Sequence, residues 1–206
     1  VLWGSSELII RNIAPIARAL GVKELVITIL GVSVLSSLPE LTVSLFAIAR
    51  GAPDISIGNV IGSNFVTLTF VTAVCALIRP IDIHREVQER ESSWMILSSS
   101  VVLLMSTDGL IGRSDGLILI LLYVPYILSV LKTARQGIDQ PAGRSRRLPA
   151  IPVLLSVAGI AGVILASKLA LDSGTELGAA MGIPTVALGV VLFAFGTSLP
   201  ELTISL

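Results

Sequence analysis

The stretch "SLPELTVSL", Ser37–Leu45, decides the fold. It sets a helix-breaking proline and an ionisable glutamate inside a long apolar run, where a purely structural segment would carry neither. The last nine residues, Ser198–Leu206, read "SLPELTISL": eight of the nine are the same, and Ile204 stands for Val43.

The composition around these motifs selects the solvent. Hydrophobic residues make up 53% of the 206, and charged residues only 14%. A soluble domain carries about a quarter charged residues, so this chain has too little polar surface to cover a globule in water. The reading is an all-α, polytopic membrane bundle in a lipid bilayer. A net charge of zero argues against a nucleic-acid partner. The lone Cys75 rules out an internal disulfide and reads as small core filler.

Uncharged runs then set the spans. Seven segments are expected, at about 1–20, 24–49, 55–78, 92–110, 114–132, 149–180 and 184–206. With the turns assigned alternately, one side receives Arg18, Lys23, Arg79, Arg85, Arg90, Lys132, Arg135, Arg144, Arg146 and Arg147. The other receives Arg50 and Arg113. The positive-inside rule makes the first side cytoplasmic and places the N-terminus outside. His84 falls in a cytoplasmic loop and reads as solvated. "KTARQGIDQPAGRSRRLP", Lys132–Pro149, reads as a linker between two halves.

The two motifs lie 161 residues apart, and at that offset Gly21 meets Gly182, Leu8 meets Leu169 and Ser6 meets Ser167. They occupy the second and seventh segments, an odd number apart, so the second copy crosses in the opposite sense. That is an inverted-topology repeat, an architecture in which secondary transporters bind ions near the midplane. The division is a first repeat at 1–132 with about five spans, a linker at 133–149, and the start of a second repeat at 150–206 with about two. The first copy continues into "DISIGNVIGSNFVTL", Asp54–Leu68, whose counterpart would begin beyond Leu206. The chain, which does not begin with Met, therefore reads as a fragment of a longer protein.

A carboxylate at bilayer depth is functional by default. Pro39 cannot donate to the carbonyl of Leu35, nor Pro200 to that of Gly196. The freed carbonyls, together with Ser36, Ser37, Glu40, Thr197, Ser198 and Glu201, form an oxygen-rich set of the kind hard cations take. "GNVIGSN" adds Asn59, Ser63 and Asn64, with Thr67 one turn further, while Gly58 and Gly62 allow close helix approach. The pairs Glu7–Arg11 and Lys168–Asp172, each four residues apart, are expected to neutralise themselves along one helix. Asp54, Asp108 and Asp115 flank outer loops, and Asp54 is placed to cap its helix.

"GTSLPELTISL" (Gly196–Leu206) and "DISIGNVIGSN" (Asp54–Asn64) resemble the α-repeats of the cation/calcium exchanger superfamily, specifically the sodium/calcium exchanger membrane domain. The likeness covers essentially the whole chain. It implies ten helices, alternating access, and exchange of calcium for sodium or protons. It also implies that the long first and sixth helices, here about 1–20 and 149–180, slide past the core. Glu40 and Glu201 match the family's central carboxylates, Ser36, Ser37, Thr197 and Ser198 the hydroxyl positions before them, and Ser63 the serine of GNxxGSN. Two departures from the pattern involve three residues. Leu35 and Ser36 stand where the family has Gly and Thr, and Thr67 where it commonly has Asn or Asp. The first bears on helix approach or access and the second on ion choice, so a proton-coupled or monovalent cation antiporter stays beside the sodium/calcium reading.

An enzyme would need a nucleophile with its base or a metal motif. No HExxH and no membrane histidine is present. A passive channel would also cross the membrane as a helical bundle, but inverted repeats with midplane carboxylates favour alternating access over an open pore. A non-transporting scaffold would make both glutamates dispensable. The expectation is no resident cofactor, inorganic cations and lipid as partners, and a prokaryotic inner membrane as location. Oligomeric state is not encoded in any feature of the sequence.

Overall fold

The structure is a computed structural model and describes residues 1–19, 33–83, 85–136 and 149–205. Every regular element among them is helical. That follows from apolar runs which must satisfy their own backbone hydrogen bonds in lipid. Helix α1 is Leu2–Ala19. One turn, α2 (Ser33–Ser36), leads to a break at Ser37 and then to α3 (Leu38–Ala49). Helix α4 spans Pro53–Ile78 and widens to a π-helical turn at Thr67–Val71. Next come α5 (Arg85–Met105), closed by a 3₁₀ turn at Ser106–Asp108, and α6 (Arg113–Gln136). The longest helix, α7 (Ala150–Met181), ends at Gly182, whose φ of 68° is the left-handed cap that glycine adopts without strain. Helix α8 covers 185–197 and carries a second π-helical stretch at Leu188–Phe193. A break at Ser198 separates it from α9 (Leu199–Ser205).

The start of the second expected segment, 24–32, lies outside the described residues. Where they are described, these elements follow the expected segments within a few residues, with one clear difference. Helix α5 begins at Arg85, well before the apolar run at Ser92. Its charged first turns are supported on the helix itself, with Arg85 donating to Glu89 at 2.7 Å and Arg90 paired with Glu91. A helix need not stop where its apolarity does. Among the described residues, four helices are long and apolar enough to cross a membrane: Pro53–Ile78, Arg113–Lys132, Ala150–Met181 and Thr185–Leu202. They leave large apolar side chains such as Phe65, Leu121, Leu165 and Val191 exposed, a surface suited to lipid. His84 and most of the expected linker lie outside the described residues.

The chain divides into two compact units, Val1–Pro80 with Pro141–Leu206, and Ile81–Gln140. In the smaller unit α5 packs on α6 through Trp94, edge-on to Tyr126 at 5.9 Å. Asp108 and Asp115 are not merely solvated there. They accept the loop N–H groups of Leu110 (3.0 Å) and Gly112 (2.7 Å).

In the larger unit, glycine sets how closely helices approach, because packing and not water exclusion drives helix association in lipid. Gly159 and Gly162 of α7 face Ser5 and Ile9 of α1, while Gly174 and Gly178 face Phe193 and Leu188 of α8. Val43, Ala47, Ile55, Leu171, Leu188 and Phe193 form the core between α3, α4, α7 and α8. Gly58 and Gly62 of α4 lie against Val186, Gly189, Val190 and Ala194 of α8 so closely that a Cβ at either would fall within 2.9 Å of a neighbouring atom. The expected close approach is present, and the partner is α8.

Two expectations on charge need correction. Glu7 and Arg11 pair as expected, but Asp172 pairs with Arg50, not with Lys168. Arg50 closes the C-terminus of α3 where that helix packs on α7, so its long side chain reaches Asp172 directly. Asp54 does not cap α4. The cap position is Ala52, and the Asp54 carboxylate accepts a hydrogen bond from the Thr185 hydroxyl at 3.4 Å.

Candidate functional site

The repeated motif produces the same backbone twice. Ser37 has φ −85° and ψ 7°, and Ser198 has φ −84° and ψ 0°. Both lie in the sparsely populated bridge region between two helical pieces. Each proline is the second residue of the new helix, where its missing N–H costs nothing. The first intrahelical bonds past the breaks are Leu41 N–H to Ser37 carbonyl at 3.1 Å and Leu202 N–H to Ser198 carbonyl at 3.3 Å. Each glutamate therefore stands in the first turn after a break.

Glu40 and Glu201 are half-buried, and the two carboxylates are close enough to interact electrostatically. The Oε2 atom of each is buried and meets no donor among the described residues. The Thr197 hydroxyl lies near enough to the Glu40 carboxylate to interact with it. Thr197 and Ser198 are 1% and 2% exposed, and the Ser198 hydroxyl likewise has no partner among the described residues. Buried polar atoms are nearly always satisfied. Two unsatisfied carboxylate oxygens and a hydroxyl in one region are an acceptor set suited to a cation.

Asn59 links α3 to α8. Its amide nitrogen donates to the Glu40 carbonyl at 3.1 Å and to the Ser44 hydroxyl oxygen at 3.0 Å. Its amide oxygen accepts from the Thr197 hydroxyl at 3.4 Å. The structure thus brings together Glu40, Glu201, Asn59, Thr197 and Ser198. Ser36 is buried just before the first break, and Ser37 is exposed at it. Thr67 is half-buried at the start of the π-helical turn of α4, which packs against α9, the helix of Glu201. Ser63 and Asn64 are not joined to the carboxylates by any side-chain bond among the described residues. The Ser63 hydroxyl donates to the Val60 carbonyl of its own helix at 3.1 Å, and Asn64 is exposed.

Ser44 does not stand out in the sequence as a candidate, yet it helps hold Asn59. A signal existed, since Ser44 lies within the repeated nonapeptide and has Ser205 as its counterpart.

The sodium/calcium exchanger protein family profile matches residues 1–132 and 151–206. The chain belongs to the sodium/calcium exchanger family. It is 34% identical over 208 residues to inner membrane protein YrbG of Escherichia coli K12, covering 96% of this chain and 64% of that one. It is 27% identical to the putative antiporter CaxA of Alkalimonas amylolytica, over 100% of this chain and 67% of that one. It is 24% identical to the sodium/calcium exchanger MaX1 of Methanosarcina acetivorans, over 97% and 69%. The chain therefore spans about two thirds of the length of these exchanger-family relatives. No solved structure matches it significantly.

Proposed function

We propose that the protein is a secondary-active cation antiporter that moves calcium out of the cell in exchange for sodium, by alternating access. The observation that carries this reading is the pair of carboxylates, each one turn past a proline break, whose buried Oε2 atoms lack donors among the described residues. Glu40 and Glu201 supply the charge. Thr197, Ser198, Ser36 and Ser37 supply hydroxyl oxygens, and Ser63, Asn64 and Thr67 complete further coordination from α4. Family membership and the names of the exchanger and antiporter relatives support a transport role over an enzymatic one. On this reading the segments 1–132 and 150–206 are inverted repeats joined by the 133–149 linker. The N-terminus faces out, the ions bind near the midplane, and the protein sits in a prokaryotic inner membrane.

A second reading is proton-coupled calcium exchange, or exchange of monovalent cations. It is favoured by Thr67, which stands where the family commonly supplies Asn or Asp. The deciding experiment reconstitutes the full-length protein into liposomes and follows calcium flux under an imposed sodium gradient, then under an imposed pH gradient. Sodium-driven flux that disappears in Glu40→Gln supports sodium/calcium exchange. Flux driven only by pH selects the proton-coupled reading. Undiminished flux in Glu40→Gln refutes the site.

A further inference from the structure

Asn59 is completely buried, and its orientation is fixed by its neighbours. The Glu40 carbonyl can only accept, so the NH₂ end of the amide must face it and the oxygen end is left for Thr197. Both amide hydrogens are then committed, one to the Glu40 carbonyl and one to the Ser44 hydroxyl. The amide oxygen is engaged by the Thr197 hydroxyl. An amide occupied in this way is a poor cation ligand, but it spans α3, α4 and α8 at the point where the two half-sites meet.

The Thr197 hydroxyl has one proton and several claimants. The Ala194 carbonyl lies 3.3 Å away and Asn59 Oδ1 3.4 Å away, with the Glu40 carboxylate also in reach. If the proton went to Glu40, that bond would occupy the carboxylate lone pair a cation needs. If it points to Asn59 or Ala194, the hydroxyl lone pairs and the carboxylate both stay available. The Ala194 bond is the backbone interaction any threonine makes with its own helix. The Asn59 bond is the one that ties this choice to the helix carrying Glu40.

We propose that Asn59 is a positioning residue and not a ligand: it receives the Thr197 proton and anchors the backbone at Glu40, so that Thr197 Oγ1 and the Glu40 carboxylate face the same cation. This rests on the reading that Glu40 and Thr197 bind the transported ion.

The test uses the full-length protein in liposomes, with calcium as the probe. It reads the KM and maximal rate of calcium flux, and the calcium-dependent shift of thermal unfolding in detergent. Asn59→Asp separates strut from ligand. A carboxylate ligand would hold or lower the calcium KM, whereas loss of the NH₂ donor toward Glu40 should raise it by about tenfold or more while the maximal rate changes little. Asn59→Ala and Thr197→Val, singly and combined, then measure coupling. The expected result is that the double variant is clearly less impaired than the product of the two single effects. The part of the Asn59 effect that passes through the Thr197 hydroxyl is already lost in Thr197→Val, while its anchor on the Glu40 backbone is not. If Asn59→Asp does not fold, the alanine and valine series decides alone. Multiplicative effects in that series, or an unchanged or lower KM in Asn59→Asp, overturn the proposal. Glu40→Gln is the control on the underlying reading. If it leaves both calcium flux and the calcium-dependent shift intact, the site itself is wrong. If it abolishes them while the Asn59 and Thr197 effects multiply, only the role of Asn59 is wrong.

Discussion

Replacing Gly189 by alanine tests whether glycine contact between α4 and α8 holds the larger unit together. A Cβ at this position would lie 2.7 Å from the Ile55 carbonyl oxygen, 3.0 Å from Gly58 Cα and 3.1 Å from the Asn59 nitrogen. All three are backbone atoms of one helix, so no side chain can rotate away and α4 itself must move. Overpacking of this kind costs about 1–3 kcal/mol, opposed by at most about 1 kcal/mol gained when alanine replaces a helical glycine. Gly196, seven residues along in the same helix, is the internal control, because nothing lies within 4 Å of its would-be Cβ. Propensity alone predicts that both alanine variants gain stability. Packing predicts opposite signs, with Gly196→Ala up by a few tenths to about 1 kcal/mol and Gly189→Ala unchanged at best and down by about 3 kcal/mol at most. Calcium-free thermal unfolding of the two purified variants in the same detergent makes the comparison. A Gly189→Ala protein as stable as Gly196→Ala would refute the close-contact argument.

Phe193 is 3% exposed and its ring covers Gly174, so Phe193→Ala should cost about 3–5 kcal/mol in unfolding experiments. Gly174→Ala, which clashes with that ring, should be tolerated better in the Phe193→Ala background than alone, giving a measurable non-additivity. The Arg50–Asp172 pair is only partly covered, at 36% and 40% side-chain exposure. A double-mutant cycle on unfolding should find a coupling below about 1 kcal/mol, and exchanging the two charges should recover most of it. Thr67→Asn, which adds an amide to the turn facing α9, should lower the calcium KM several-fold in liposome flux without shifting calcium-free unfolding.

What could be read from the sequence was what chemistry leaves visible in one dimension. The proline and glutamate announced the breaks, apolar runs announced the helices, and the spacing of Gly58 and Gly62 announced a close contact. The Glu7–Arg11 pair was legible because both ends lie on one helix. The Arg50–Asp172 pair was not, since its partners come together only when α3 packs on α7. The two π-helical turns had no marker either. Thr67–Val71 and Leu188–Phe193 have ordinary membrane compositions, and a widened turn is a matter of hydrogen-bond register that tertiary packing decides. Within the candidate site, residue types pointed to Asn59 but not to its attachments. The Glu40 backbone and the Ser44 hydroxyl, which saturate its NH₂ group, become neighbours only through the fold.

The matching breaks at Ser37 and Ser198 also carry a historical message. Around them the two copies have drifted apart, so that Leu35 and Ser36 precede one break and Gly196 and Thr197 the other. The open space beside Gly196 leaves room for a larger side chain, such as the leucine that stands at position 35. The nonapeptide resisted drift at the stretch where both copies hold the same irregular backbone and deliver the same charge. A distant member of this lineage would therefore be found less readily by overall resemblance than by two proline-glutamate breaks of matching backbone.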